Sequence, residues 1–397
     1  METRTKNAHI LTVNAGSSSL KLALFVAADS THKAHEAAIE NIGLPTAQLV
    51  TPEGTKPVAA ATHAEATKHL AEWLTAHVAP SDIVAVGHRI VHGGPQYHET
   101  CVATDEVIAG LHTLTVLDPE HLPIQLKLVE AFRRAFAGAR HVLCFDTAFH
   151  YDLPTPSRVL PLPRRFEAEG LRRYGFHGLS YASIVEELRQ VEGDAAANGK
   201  VIIAHLGSGA SLAALHHGTS IDTTMSMTPA SGIPMSTRAG DLDPGLALYF
   251  EQTKEYDAKR FTHLVNFESG LLGMSETTAD MKKLLEIEAE DPRAKDAVDV
   301  FCYHVKKTIG GFAAALGGLH TLVFTGGMGE NAPKIRERVC SGLEFLGVTI
   351  DPTRNQAGER LISVDGAAVG VHVIHTDEAV TIARETARLI DSHKGNV

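Results

Sequence analysis

The sequence predicts an α/β protein built from two duplicated domains, and three observations lead there. Strand-like apolar runs alternate with helical periodicities along the whole chain. A strand–turn–strand unit near the N-terminus returns near the middle. The 397 residues also exceed what one hydrophobic core usually serves.

The first element is the apolar run His9 to Val13, followed by the small-residue turn Asn14 to Ser19 and a second apolar run, Leu20 to Val26. That pattern is strand, tight turn, strand. Further strands are expected at Ile83–Val86 and Val142–Phe145. Between them Leu126, Val129, Phe132 and Phe136 recur at steps of three and four, one face of a helix after the Pro119–Pro123 segment. Pro154, Pro156, Pro161 and Pro163 mark the best boundary between two halves. The hairpin then returns as Val201–Ala204, the turn His205–Ser211, and Leu212–Leu215, with one extra residue in its turn. His216–His217 reads as another turn. Val298, Phe301, Val305, Ile309 and Phe312 predict a second amphipathic helix. Leu322–Thr325 predicts a strand that runs into a third glycine turn, Gly326 to Asn331.

Hydrophobic content of 44% and charged content of 21% are those of an ordinary globular protein. A net charge of −11 argues against a nucleic-acid or anionic-membrane surface. The opening METRTKNAHILTVNAG has no long apolar h-region, and no apolar run reaches membrane-spanning length, so a cytoplasmic protein is expected. Cys101, Cys144, Cys302 and Cys340 form no CxxC pair and read as reduced thiols. The 23 histidines invite a metal reading, but none forms HExxH or a Cys/His knuckle, so no zinc site is expected.

Small residues in a turn expose backbone N–H groups that can cradle phosphate oxygens. Asn14, Ser17 and Ser19 add polar side chains to the first turn, and Lys21 a positive charge just beyond it. None of the three glycine turns matches GxxxxGK[ST] or a strict GxGxxG. Charged residues embedded in apolar or glycine-rich runs are more telling. Arg89 lies in Gly87–Gly94, Asp146 in Cys144–His150, His177 in Tyr174–Gly178 and Arg238 in Ser236–Asp241. Each alone could be a structural ion pair or a satisfied histidine. Strand ends, however, are where α/β proteins place ligand chemistry.

These runs resemble the acetate kinase family, within the acetate, propionate and butyrate kinases. VNAGSSSLK, GHRIVHGG, FDTAFH, YGFHG, HLGSGAS, SIDTTMSMTPASG with STRAGDLDPG, ESGLLG with ADM, FTGGMGEN and HTDEA follow one another in family order from Val13 to Ala379. The resemblance implies two duplicated actin-like (ribonuclease H-like) domains with a catalytic cleft between them. The N-terminal domain would span 8–150, completed by the C-terminal helix 379–397, and the nucleotide-binding domain 151–378. It implies reversible transfer of the ATP γ-phosphate to acetate, giving acetyl phosphate and ADP, with Mg²⁺ or in its place Mn²⁺, in a homodimer. Asn14 and Glu378 would hold the metal, and Ser17, Ser19 and Lys21 would face the phosphates. His205, Leu206, Gly207, Ser208 and Gly209 would cradle ATP. Asp280, Met281 and Lys282 would lie near the ribose and adenine, with Gly327, Met328, Gly329, Glu330 and Asn331 as an adenosine turn. Arg89 and Arg238 would grip the carboxylate and the phosphoryl group, His177 would stabilise the transition state, and Asp146 would be the catalytic acid. Val91, Phe176 and Pro229 would line a small apolar pocket.

Physical chemistry agrees with this set. A phosphoryl group in flight carries charge on its equatorial oxygens, and arginine forks suit both phosphates and carboxylates. A carboxylic acid, with a pKa of about 4.3, is already an ionised nucleophile at neutral pH and needs no general base. Asp146 therefore reads as a residue that organises metal, water or Arg89. Three positions depart from the family pattern. A family histidine is replaced by Leu117 or Asp118, with His121 just downstream as a substitute or a surface residue. Lys282 stands where arginine is expected, and Ser208 where asparagine is. Propionate is the alternative substrate. A non-catalytic ATP sensor of the actin and Hsp70 type, or a bare carboxylate-binding module, are the alternatives of another class.

Overall fold

The computed structural model describes residues 8–16 and 18–394 and divides into two compact units. One unit runs to Ala148 and resumes at Asp377; the other spans Phe149–Thr376. The chain thus changes unit ahead of the proline-rich stretch. Pro154 itself precedes a short helix, Thr155–Arg158, inside the second unit.

The first unit holds β1 (His9–Ala15), β2 (Leu20–Val26), β3 (Asp29–Glu40), β4 (Gln48–Thr51), β5 (Gly54–Pro57), β6 (Ile83–Ile90), β7 (Cys101–Val102) and β8 (Arg140–Phe145). They form one sheet in the order β5-β4-β3-β2-β1-β6-β8-β7. The second unit holds β9 (Lys200–Leu206), β10 (Ala210–His216), β11 (Thr219–Thr223), β12 (Thr321–Thr325) and β13 (Gly370–Val373), in the order β11-β10-β9-β12-β13. In both sheets a three-stranded antiparallel meander is extended by two parallel strands: β3-β2-β1-β6-β8 repeats as β11-β10-β9-β12-β13. The recurring hairpin is therefore the visible part of a duplicated sheet.

The central strands read as continuous apolar runs because both faces are covered. Leu11, Val13, Leu22 and Leu24 pack with Leu70, Leu74 and Phe132 on one face. Ile10, Ala23, Phe25 and Ala85 meet Ala383 of the C-terminal helix Glu378–Lys394 on the other. Gly87 shows how close that helix lies: a Cβ there would sit 2.3 Å from Thr386 Oγ1. The two expected helices form at Leu122–Ala135 and Pro292–Leu316. Phe136 falls one residue past the first, stacked on Phe132. Asp291 caps the second by accepting from Arg293 N–H at 2.9 Å. One expectation fails. Gly326–Asn331, read as a turn, is a short helix, because Glu330 Oε1 accepts from Gly326 N–H (2.8 Å) and closes its first turn.

Candidate active site

In the first unit the sheet brings the ends of β1, β6 and β8 side by side, so that residues far apart in sequence share one cluster. Arg89, near the end of β6, donates from Nε (3.0 Å) and Nη2 (2.5 Å) to the same oxygen, Oδ2 of Asp146, just past β8. Its Nη1 donates to Asn14 Oδ1 (3.0 Å) and lies 3.3 Å from Glu378 Oε2. Asn14 Nδ2 in turn donates to Glu378 Oε2 at 2.7 Å. Burial works against the Arg89 charge, but Asp146 and Glu378 outweigh it and raise its pKa above the ordinary value. Asp146 is 1% exposed, so Arg89 is the counter-ion of a buried carboxylate.

Asn14 Oδ1 and Glu378 Oε2 converge on one cationic nitrogen. An amide oxygen and a carboxylate suit a hard divalent cation whose remaining ligands are phosphates and water. No group of three His, Cys, Asp or Glu side chains placed to hold a metal occurs among the described residues. Lys21 pairs with Asn14 across the hairpin and is exposed, and Ser19 O accepts from Gly16 N–H at 2.9 Å. Ser17 lies outside the described residues.

In the second unit His177 adopts a left-handed backbone (φ 58°, ψ 24°) as the N-cap of the helix Gly178–Glu192, a conformation uncommon for a residue with a Cβ. Its Nδ1 shares a hydrogen bond with Ser211 Oγ (2.8 Å), which Tyr181 Oη also reaches (2.5 Å). Its ring stacks on His205 at 4.3 Å between centroids, and His205 Nδ1 is held by Ser180 Oγ at 2.8 Å. Arg238 Nη1 donates to the Pro229 carbonyl at 3.2 Å. Gly209 marks where these groups meet: a Cβ built there would lie 3.4 Å from His177 Nε2 and 3.6 Å from Arg238 Nη1. An imidazole and a guanidinium thus face one backbone loop, directly after β9. Phe176 is buried, and its carbonyl accepts from His150 Nε2 at 3.1 Å. Burial pushes the pKa of His150 down to about 4, so it holds this loop as a neutral ring.

The expected nucleotide residues fare unevenly. Ser208 is exposed, with its carbonyl accepting from Ser236 N–H at 3.1 Å; Gly207 N–H donates to the Gly209 carbonyl at 3.2 Å. Leu206 and Met281 are buried in the core. Asp280 caps the helix Met281–Ile287 by accepting from Lys282 N–H (2.9 Å), and Lys282 is exposed. Gly327 and Asn331 are exposed, Met328 is half-buried and Gly329 buried. Glu330 is engaged within the fold: besides Gly326, its carboxylate meets Thr376 N–H at 3.3 Å and His375 Nδ1 at 2.6 Å. Burial alone would raise its pKa; His375 and the backbone N–H groups bring it below the ordinary value.

The reading of His121 as a surface residue does not survive. It is buried, and Asp118 Oδ1 accepts from both its ring Nδ1 (2.9 Å) and its backbone N–H (3.2 Å). Asp118 therefore pairs with the ring and also holds the backbone N–H of the residue just before the helix. Burial pushes the Asp118 pKa up, but the contacts with His121 carry it below the ordinary value. Sequence reasoning missed Gln125, Ser211, Tyr181 and His150, polar groups that hold the site from behind. Ser211 and His150 lay inside motifs that could have signalled them, HLGSGAS and FDTAFH.

A family model described as the Acetokinase family matches residues 9–384. An acetate kinase of Methylocella silvestris is 42% identical, over 96% of this chain and 98% of its own. Among solved structures, a propionate kinase from Francisella tularensis is 31% identical with a TM-score of 0.89, covering 96% of this chain and 99% of that one. Porphyromonas gingivalis acetate kinase is 34% identical with a TM-score of 0.85, over 96% and 100% of the two chains.

Proposed function

The chain belongs to the acetokinase family, shares its actin-like fold and is a kinase that transfers phosphate from ATP to a carboxylate; on that premise we propose that acetate is the acceptor and acetyl phosphate the product. The observation that carries this is Arg89, a guanidinium ionised and oriented by two carboxylates at the end of a central strand. Propionate is the second reading, favoured by the likeness to the Francisella propionate kinase. One methylene in an apolar pocket discriminates by only about 1–3 kcal/mol.

Arg89 and Arg238 bind the carboxylate and the phosphoryl group, and His177, aligned by Ser211, donates to the oxygens on which charge develops. Asp146 acts through Arg89: its Oδ2 takes two guanidinium hydrogens and keeps the fork in one orientation. No proton transfer is needed, because the acyl carboxylate is ionised at neutral pH. Asn14 and Glu378 would hold Mg²⁺, which when bound neutralises phosphate charge that Arg89, already matched by two carboxylates, cannot offset alone. Phe176 and Pro229 are the apolar residues of the second unit that would meet the methyl group.

The helix Gly245–Lys254 has no buried residue, yet it carries exposed Leu248 and Tyr249. We infer that a second copy of the chain covers this face in a homodimer, which light scattering would measure. No helix among the described residues is long and apolar enough to cross a membrane, and a cytoplasmic location accords with this. The deciding experiment traps acyl phosphate as hydroxamate with ATP, Mg²⁺ and acids of two to four carbons. Acetyl hydroxamate above the others is expected. No hydroxamate from any acid would refute the kinase assignment, and ATP hydrolysis without acyl phosphate would favour a sensor.

A further inference from the structure

Strands β1 and β6 run parallel, and their ladder closes at Val13 opposite His88. The functional side chains, Asn14 and Arg89, come one residue later, where no ladder bond holds the two strands in register. Just beyond them a side chain supplies the missing rung. Gln125 Oε1 accepts from Val91 N–H (2.9 Å), and Gln125 Nε2 donates to the Ala15 carbonyl (3.1 Å). Gln125 is 3% exposed, and every other buried residue of its helix is apolar: Leu122, Leu126, Leu128, Val129 and Phe132. Those residues lock the helix into two core clusters, and Asp118 with His121 secures its first turn. The amide is planar, so the separation of the two backbone segments it joins is set by covalent geometry.

We propose that Gln125 is a positioning residue that registers the Asn14 turn against the Arg89–Val91 segment and so sets the separation of Asn14 and Arg89 on which turnover depends. The inference rests on the kinase assignment above. Holding the Ala15 carbonyl fixes Asn14, and holding the Val91 N–H fixes the segment that carries Arg89, so the two side chains keep one separation, which bears on turnover. A shift of about 1 Å in such a group can cost on the order of a hundredfold in rate.

Q125L keeps similar volume and leaves both backbone groups without their partner. It should lower kcat by about tenfold or more, with KM for ATP little altered. Q125E guards against a variant that merely fails to fold. The neutral carboxyl it introduces offers one acceptor and one donor, as the amide does; ionised, it presents only acceptors to the Ala15 carbonyl. Burial raises the pKa of such a group, so Q125E activity relative to wild type at the same pH should recover as pH falls from about 8 to 5. A role in packing alone would give a flat ratio. Active wild type with Q125L matching it in turnover, or Q125E flat across that range, would overturn the inference alone. Wild type forming no acyl phosphate would overturn the kinase assignment and this inference with it.

Discussion

Replacing Arg89 by alanine tests the centre of the site and separates catalysis from stability. Arginines that only meet substrate can be lost with little change in stability. The structure requires otherwise. Arg89 supplies two hydrogen bonds to Asp146, one to Asn14 and the charge facing Glu378. R89A leaves the Asp146 carboxylate, 1% exposed, without its counter-ion. Removing one member of a buried pair typically costs about 3–5 kcal/mol. For a unit of this size each kcal/mol lowers the midpoint by about 2–4 °C, so a loss of roughly 6–20 °C is expected, smaller if Asp146 takes up a proton. Turnover should fall by about 10²–10³, the loss of one transition-state donor. The double variant R89M/D146N removes both charges and should recover most of the stability and none of the turnover. Calorimetry beside the hydroxamate assay decides. An R89A protein with the wild-type midpoint, or a double variant no more stable than R89A, would show that the pair is not what holds Asp146.

G209A fills the space between His177 Nε2 and Arg238 Nη1 at ordinary contact distances, 3.4 and 3.6 Å, so turnover should fall sharply while the unfolding midpoint barely moves. H121A removes the ring partner of buried Asp118 and should cost about 1–3 kcal/mol in urea unfolding; turnover that falls with KM for acetate unchanged would give His121 a transition-state role as well. Exposed Lys282 cannot stack on a base as a guanidinium does, so GTP should serve within about tenfold of ATP, and K282R should widen the gap; a strong ATP preference in wild type would refute this. His150 titrates near 4 when folded and near 6.5 when unfolded, so the unfolded chain binds the extra proton between those values. Its contribution is complete above about pH 6.5 and falls by about 1.4 kcal/mol per unit as pH drops toward 4. H150N should flatten that slope in denaturant midpoints measured across the range.

Local features were legible in the sequence because they depend on neighbours along the chain. Apolar runs beside Gly/Ser turns specify a hairpin whatever surrounds it, and His9–Val26 and Val201–Leu215 form hairpins. The three- and four-residue spacing from Val298 to Phe312 predicts the buried face that the helix Pro292–Leu316 presents. Motif order likewise marked Arg89, Asp146, His177 and Arg238 as a set. What tertiary structure alone decided is how polar groups are paired. Asn14 and Glu378 are bonded across 364 positions, and Arg89 and Asp146 across 57, distances at which sequence carries no spacing signal. Gln125 was invisible because a lone glutamine in an amphipathic helix reads as its wet face. Glu330, which the resemblance placed in an adenosine turn, closes the first turn of a helix and meets Thr376 and His375, pairings that chain order did not signal. The physical reason is common to these cases. A buried polar group must find a partner, and the sheet and helices, not the chain order, determine which one is within reach.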